Sequence, residues 1–237
     1  MRAVKGKLIA VEGIDGAGKT AITRHIYGFL TNHGYRCALF KEPSDSVYGQ
    51  IIRSLKVPID PEVELMLFLK DRELDVKERI LPALRKGLIV IMDRYYYSNI
   101  AYQSAKGLNA DRIKKMNEKI APKPDLVILL DLSPSKALER IKNRKKLSIF
   151  EEIEFLERVR QKFLEIADER TVIVNAERDF ETVKKEVAQI ALLFARKTFG
   201  DVKKTDRITA RADSRKKGSD MYGKVILGFG SCGRRRI

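Results

Sequence analysis

The chain has 237 residues, 44% of them apolar, which is enough to build the core of one α/β domain, and 34% charged, with a formal charge of +16 from 48 basic and 32 acidic residues. Such an excess calls for anionic partners, a need that phosphorylated small molecules meet as well as nucleic acids do. Two cysteines, Cys37 and Cys232, and two histidines, His25 and His33, exclude a disulfide framework and a structural zinc site, and no apolar run approaches the roughly 20 residues that span a bilayer.

The N-terminus, Met1 to Lys7, leads straight into a strand-like run and does not read as a signal peptide, so a cytoplasmic protein with reduced thiols is expected. Short apolar runs at Leu8–Val11, Cys37–Phe40, Leu88–Met92, Leu126–Leu130 and Thr171–Val174 read as strands covered on both faces. Helix-length segments separate them, and this alternation predicts a parallel five-stranded sheet flanked by helices. Asp60-Pro61 opens a long helical segment toward Lys86, with a kink or break expected at Pro82. Ser133-Pro134 opens another through Ile141. Asp179 caps a last helix, Phe180 to Lys197, which Gly200 stops. Composition then changes. Residues 201–237 hold 11 basic and 4 acidic residues and little periodicity, apart from a short strand candidate at Val225–Phe229. The expected organisation is a domain over 1–199 and a basic, flexible extension over 200–237.

Between the first strand and the first helix lies Gly13-Ile14-Asp15-Gly16-Ala17-Gly18-Lys19-Thr20. This is the phosphate-binding loop pattern: glycine, four residues, then Gly-Lys-Thr. The glycines let successive N–H groups turn inward toward phosphate oxygens, and the helix that follows adds its positive dipole end. Lys19 reaches the β- and γ-phosphates of ATP, and the Thr20 hydroxyl can ligate Mg²⁺. The motif predicts the P-loop NTPase fold. GTPases, ATPases and kinases share it, but the guanine signature Asn-Lys-x-Asp is absent.

A second signal, Asp93-Arg94-Tyr95-Tyr96-Tyr97-Ser98-Asn99-Ile100-Ala101-Tyr102-Gln103, starts at the carboxyl end of the third strand, where open parallel sheets bind ligands. Asp93 can hold Mg²⁺ directly or through water, and Arg94 can clamp a phosphate with its fork of donors. By residue type Tyr95, Tyr96 and Tyr97 read as packing.

These motifs, together with Glu42-Pro43 and Phe68 to Arg72, resemble thymidylate kinase in colinear order over residues 5–198. The resemblance implies a nucleoside monophosphate kinase that moves the γ-phosphoryl group of ATP onto dTMP, and usually a homodimer. It places Asp15 on the 3′-hydroxyl of the acceptor sugar, Phe68 under the thymine and Arg72 on the base edge, one helical turn apart and so on one face. Tyr102 would crowd the sugar 2′ position, Glu42, Ser98 and Gln103 would line the same site, and Pro43 would follow a cis peptide. From residue type alone, Phe68 reads as a core residue and Arg72 as a surface charge.

The resemblance also makes Arg140 to Lys146 a lid over ATP. Some family members carry a catalytic arginine directly after the P-loop Asp. Here that position is Gly16, so the cation would come from Arg140, Arg144, Lys145 or Lys146, with Arg144 preferred. Two other readings stay open: the same fold with another acceptor such as dUMP or a deoxynucleoside, and a P-loop nucleic-acid-binding or regulatory protein anchored by Arg215-Lys216-Lys217 and Arg234 to Arg236.

Overall fold

The structure is a computed structural model that describes residues 6–141 and 149–201. The candidates Arg144, Lys145 and Lys146, the basic clusters of the extension and its strand candidate all lie outside the described residues.

Five strands form one parallel sheet: β1 (Lys7–Glu12), β2 (Cys37–Lys41), β3 (Ile89–Asp93), β4 (Leu126–Asp131) and β5 (Thr171–Asn175), in the order β2-β3-β1-β4-β5. Every residue of β3 is buried, as are Leu8 to Glu12 of β1. Such central strands are held by apolar burial, roughly 1.5–3 kcal/mol for each large aliphatic side chain removed from water. The five strands expected for the sheet are present, but the edge strands β2 and β5 are only partly buried rather than covered on both faces, because each has a neighbour on one side alone. Each runs to a polar residue just beyond its predicted end: Glu12, Lys41, Asp93, Asp131 and Asn175. An apolar run stops at its last apolar side chain, whereas the hydrogen-bond ladder continues into the residue that faces the ligand edge. The register aligns these ends, with Val11 and Lys41 both beside Asp93, and Asp131 beside Asn175.

Helix α1 (Lys19–Asn32) buries the stripe Ile22, Ile26 and Leu30. It packs against α9 (Phe180–Phe199), whose inner face is Val183, Val187, Ala191 and Ala195. The small alanines let the two helices approach closely. Asp179 caps α9 through the Thr182 N–H at 2.9 Å, and Gly200 ends it at φ 77°, as expected.

Helix α2 (Val47–Ser54) is followed by α3 (Pro61–Asp75), which Asp60 caps through the N–H groups of Glu62 and Val63. The expected break is a π-type turn at Val76–Ile80 ahead of the short α4 (Leu81–Arg85), with the Leu81 N–H reaching back to the Val76 carbonyl. Pro82 lacks an N–H and its ring crowds the carbonyl four residues back, so the chain widens in the preceding turn rather than at the proline. Helix α5 (Tyr96–Ala105) packs between α6 (Ala110–Ile120) and α8 (Ile149–Glu165), and α3 lies against both α5 and α6. Helix α7 (Pro134–Ile141) lies against α8.

Candidate active site

The phosphate loop joins β1 to α1. Gly16 has φ 84°, and a Cβ there would stand 2.5 Å from the Ala137 carbonyl oxygen of α7. The loop therefore touches α7 at a point where an added Cβ would have to displace backbone. Gly13, at φ 139°, is pressed as closely onto the Leu130 carbonyl. Ile14 and Ala17 anchor the loop in the core, while Gly18 precedes α1 at φ 92°. Lys19 is buried, and its ammonium donates to the carbonyls of Gly13 at 2.9 Å and Ile14 at 2.6 Å. Burial, and then the neighbouring Arg94 charge, push its pKa down to about 7.

In the first turn of α1 the Thr20 hydroxyl donates to Asp93 Oδ2 at 2.6 Å. The Lys41 ammonium stands 3.9 Å from the same oxygen. A hydroxyl and a carboxylate side by side suit Mg²⁺, which takes few protein ligands and keeps waters and phosphate oxygens. Among the described residues no cluster of three or more His, Cys, Asp or Glu gathers to form an all-protein cage.

Arg94 follows β3 with φ 68°, a left-handed conformation that costs a non-glycine residue roughly 1–2 kcal/mol. Its N–H bonds to the Val11 carbonyl at 3.1 Å, and its guanidinium donates to Asp15 Oδ1 at 2.5 Å and to the Ser98 hydroxyl at 3.1 Å. The same group lies over the Tyr102 ring, 5.4 Å from its centroid. Burial opposes the Arg94 charge, but Tyr102, Asp15 and Glu12 outweigh it and raise its pKa. Burial likewise opposes the Asp15 carboxylate, and Arg94 and Lys19 outweigh it, holding that carboxyl below its usual range. The Tyr102 hydroxyl accepts from the Asp15 N–H and donates to its carboxylate, both at 3.1 Å. Asp15, Arg94, Ser98 and Tyr102 are thus one connected group. Tyr95, Tyr96 and Tyr97 are buried packing residues, as their type suggests.

Arg72 is not a solvated surface charge. It is fully buried on α3 and pairs with both oxygens of Glu42, where Nε sits 3.1 Å from each. It also donates to the side-chain oxygens of Asn99, at 3.2 Å, and Asn117. The Glu42–Pro43 peptide is cis, as the resemblance implies. Asp71, next to Arg72, accepts from the Ser44 N–H at 2.8 Å and the Ser46 hydroxyl at 2.6 Å, so α3 grips this loop at two successive residues. Phe68 is half-buried and stands outside the core that its neighbours Leu65 and Leu69 join. The core assignment therefore fails for it.

Gln103 donates to Glu64 at 3.0 Å, yet its buried Oε1 has no hydrogen-bond partner among the described residues. The same holds for Asn99 Nδ2, one turn earlier on α5. Both sit on one face of α5, four residues apart, as buried polar atoms that the described residues leave unbonded.

Of the lid candidates, Arg140 is described, and it donates to the Ala176 carbonyl at 2.9 Å. Four residues escaped the sequence reading: Glu12, Lys41, Asn99 and Arg160. The last makes two bonds to Asp131, at 2.6 and 2.9 Å, and so ties α8 to the end of β4. The available signal was a polar residue ending an apolar strand, which singles out Glu12 and Lys41 as it does Asp93.

A family model described as Thymidylate kinase matches residues 11–187. The "Probable thymidylate kinase" of Archaeoglobus fulgidus is 58% identical over 183 residues, covering 77% of this chain and 93% of that protein. Proteins of the same description from Pyrococcus horikoshii and Thermococcus kodakarensis are each 40% identical, over 198 and 199 residues, and the matches cover 96% of their own lengths. A family match running from the end of β1 into α9, and relatives aligned almost end to end, lead to one conclusion: the chain belongs to the thymidylate kinase family.

Proposed function

We propose that this protein transfers the γ-phosphoryl group of ATP to dTMP, giving dTDP and ADP, with residues 1–199 forming the kinase domain. ATP and a nucleoside monophosphate are the substrates of the family. The observation that carries the reading is the meeting of the two anion-binding elements: Thr20 bonded to Asp93, and Asp15 bonded to Arg94.

The difficulty of the reaction is electrostatic, because two polyanions must approach while the transferring group stays in line. Lys19 sits at the foot of the loop, ready to exchange the Gly13 and Ile14 carbonyls for phosphate oxygens, and anionic oxygens there raise its pKa and restore full charge. Arg94 clamps the acceptor phosphate from the opposite side. Mg²⁺ fits the pair Thr20 and Asp93, directly or through water, and when bound it supplies positive charge to the β- and γ-oxygens. Asp15 accepts the sugar hydroxyl, Tyr102 closes the 2′ side, Phe68 stacks on the base, and Arg72 with Gln103 and Asn99 reads its edge. Glu42 and Ser98 hold Arg72 and Arg94 in place. The remaining cation comes from the lid, with Arg144 assigned to the transferring group.

No helix among the described residues is long and apolar enough to cross a membrane. The reading places the enzyme in the cytoplasm as a homodimer. Val47, Ile51, Val63 and Met66, all exposed on α2 and α3, give such a dimer an apolar face. The deciding experiment is an ADP-release assay of the full chain across dTMP, dUMP, dCMP and ribonucleoside monophosphates. The largest kcat/KM is expected for dTMP. A preference for another acceptor would overturn the assignment.

A further inference from the structure

Strand β1 ends on Glu12, whose side chain is fully buried. A buried carboxylate is costly unless its oxygens are well bonded. Its partners here all lie in the segment after β3. Oε1 accepts from the Tyr95 N–H at 2.8 Å and the Ser98 N–H at 3.2 Å, and Oε2 accepts from the Ser98 hydroxyl at 2.5 Å. Tyr95 is the cap residue of α5 and its own side chain makes no capping bond. Glu12 therefore caps α5 from the neighbouring strand, with its charge at the favourable end of the helix.

The cap does more than end a helix. A serine hydroxyl has one proton and two lone pairs. Because Ser98 spends its proton on Glu12, it can only accept from Arg94, whose Nη1 lies 3.1 Å away. The backbone of Arg94 is held between the Val11 carbonyl and the Tyr95 bond to Glu12, at a φ of 68° that it would not keep unaided. Glu12, Ser98, Arg94 and Asp15 thus form one line of hydrogen bonds from the foot of the phosphate loop to the sugar side of the site.

We propose that Glu12 is a positioning residue of the acceptor site: it directs the Ser98 proton away from Arg94 and so aims the guanidinium at the acceptor phosphate. The inference rests on the reading of Arg94 as the clamp of that phosphate. Burial pushes the Glu12 carboxyl pKa up, and the Ser98 bond and the Arg94 charge oppose that rise, so the groups it orients are also those that favour its charge.

Glu12→Gln is a discriminating variant. Its amide oxygen can still cap the Tyr95 and Ser98 N–H groups, but its NH₂ turns the Ser98 hydroxyl round, leaving a proton facing Arg94. If Glu12 were only a cap, this variant would behave like wild type. Steady-state kinetics on the full chain would compare wild type, Glu12→Gln, Ser98→Ala and the double variant, with Arg94→Ala as a control. Each single variant is expected to lose about tenfold in kcat/KM for dTMP, as befits one charge-assisted bond. KM for ATP should stay within about twofold, and the double variant should be no worse than the weaker single, since both act through one hydroxyl. Unchanged dTMP kinetics in Glu12→Gln, or losses that multiply in the double variant, would overturn the proposal. Wild-type dTMP kinetics in Arg94→Ala would instead remove the clamp assignment beneath it. If Glu12→Gln does not fold, Glu12→Asp, whose shorter carboxylate withdraws from the Ser98 hydroxyl, runs the same cycle with the same two outcomes.

Discussion

The Thr20 hydroxyl donates to Asp93 across 2.6 Å, joining the first turn of α1 to the last residue of β3. These residues are far apart in sequence and belong to different halves of the site. Their contact exists because β1 and β3 are neighbours in register, with Val11 beside Asp93. The carboxyl ends of the two strands then open on a common edge, with the glycine-rich loop after one and Asp93 and Arg94 at the other.

The same pair should set the demand for divalent cation. Thr20→Ala and Asp93→Asn are each expected to raise the Mg²⁺ concentration for half-maximal activity by about 10–100-fold, the cost of disturbing a metal's protein partners. A Mg²⁺ titration of the initial rate at saturating ATP measures this. An unchanged titration curve would place the metal elsewhere.

Arg94 stands in a left-handed conformation at φ 68°. Arg94→Ala and Arg94→Gly should both abolish turnover, since neither has a guanidinium. Glycine accepts φ 68° without the Cβ penalty, so the glycine variant should be more stable than the alanine variant by about 1 kcal/mol. Urea denaturation of the two proteins gives the difference, and equal stabilities would show that the backbone relaxes there.

At Gly16 the added methyl of Gly16→Ala meets the Ala137 carbonyl oxygen at 2.5 Å on a backbone of positive φ. A loss of about 1–3 kcal/mol in stability is expected, as for other overpacked sites, together with most of the activity. Gly16→Arg, with a far larger side chain at the same point, should fare worse. Denaturant titration and the kinase assay test both.

Phe68 and Arg72 lie one turn apart but should fail differently. Arg72→Ala leaves Glu42 buried without its counter-ion, and a loss of about 3–5 kcal/mol is expected. Phe68→Ala removes a half-buried ring outside the core, so stability should move by less than about 1 kcal/mol while KM for dTMP rises about tenfold. Thermal melts beside dTMP saturation curves separate the two.

Burial pushes the Cys37 thiol up to about 12. Thiolate is the reactive form, so at pH 8 Cys37 should alkylate roughly 10³-fold more slowly than an ordinary thiol with a pKa near 8.5. Mass spectrometry of peptides after iodoacetamide treatment measures this. The rate should climb steeply with pH well above 8, and rapid labelling at pH 8 would show the strand end to open.

Glycines spaced around Lys19 and Thr20, apolar runs of strand length, and cap residues such as Asp60 and Asp179 fix local geometry through short-range sterics and hydrogen bonding, so the loop, the sheet and most helix ends were readable in the residues themselves. What they could not reveal was which polar groups lose water together. Arg72 reads as a surface charge until Glu42, Asn99 and Asn117 close around it, and Glu12 reads as the last residue of a strand until the start of α5 arrives from beyond β3. Those contacts are between residues distant in sequence and depend on strand order. Only the folded chain decides whether a charge ends in solvent or in a buried, fully bonded site, because desolvation is a property of all the elements that surround a group.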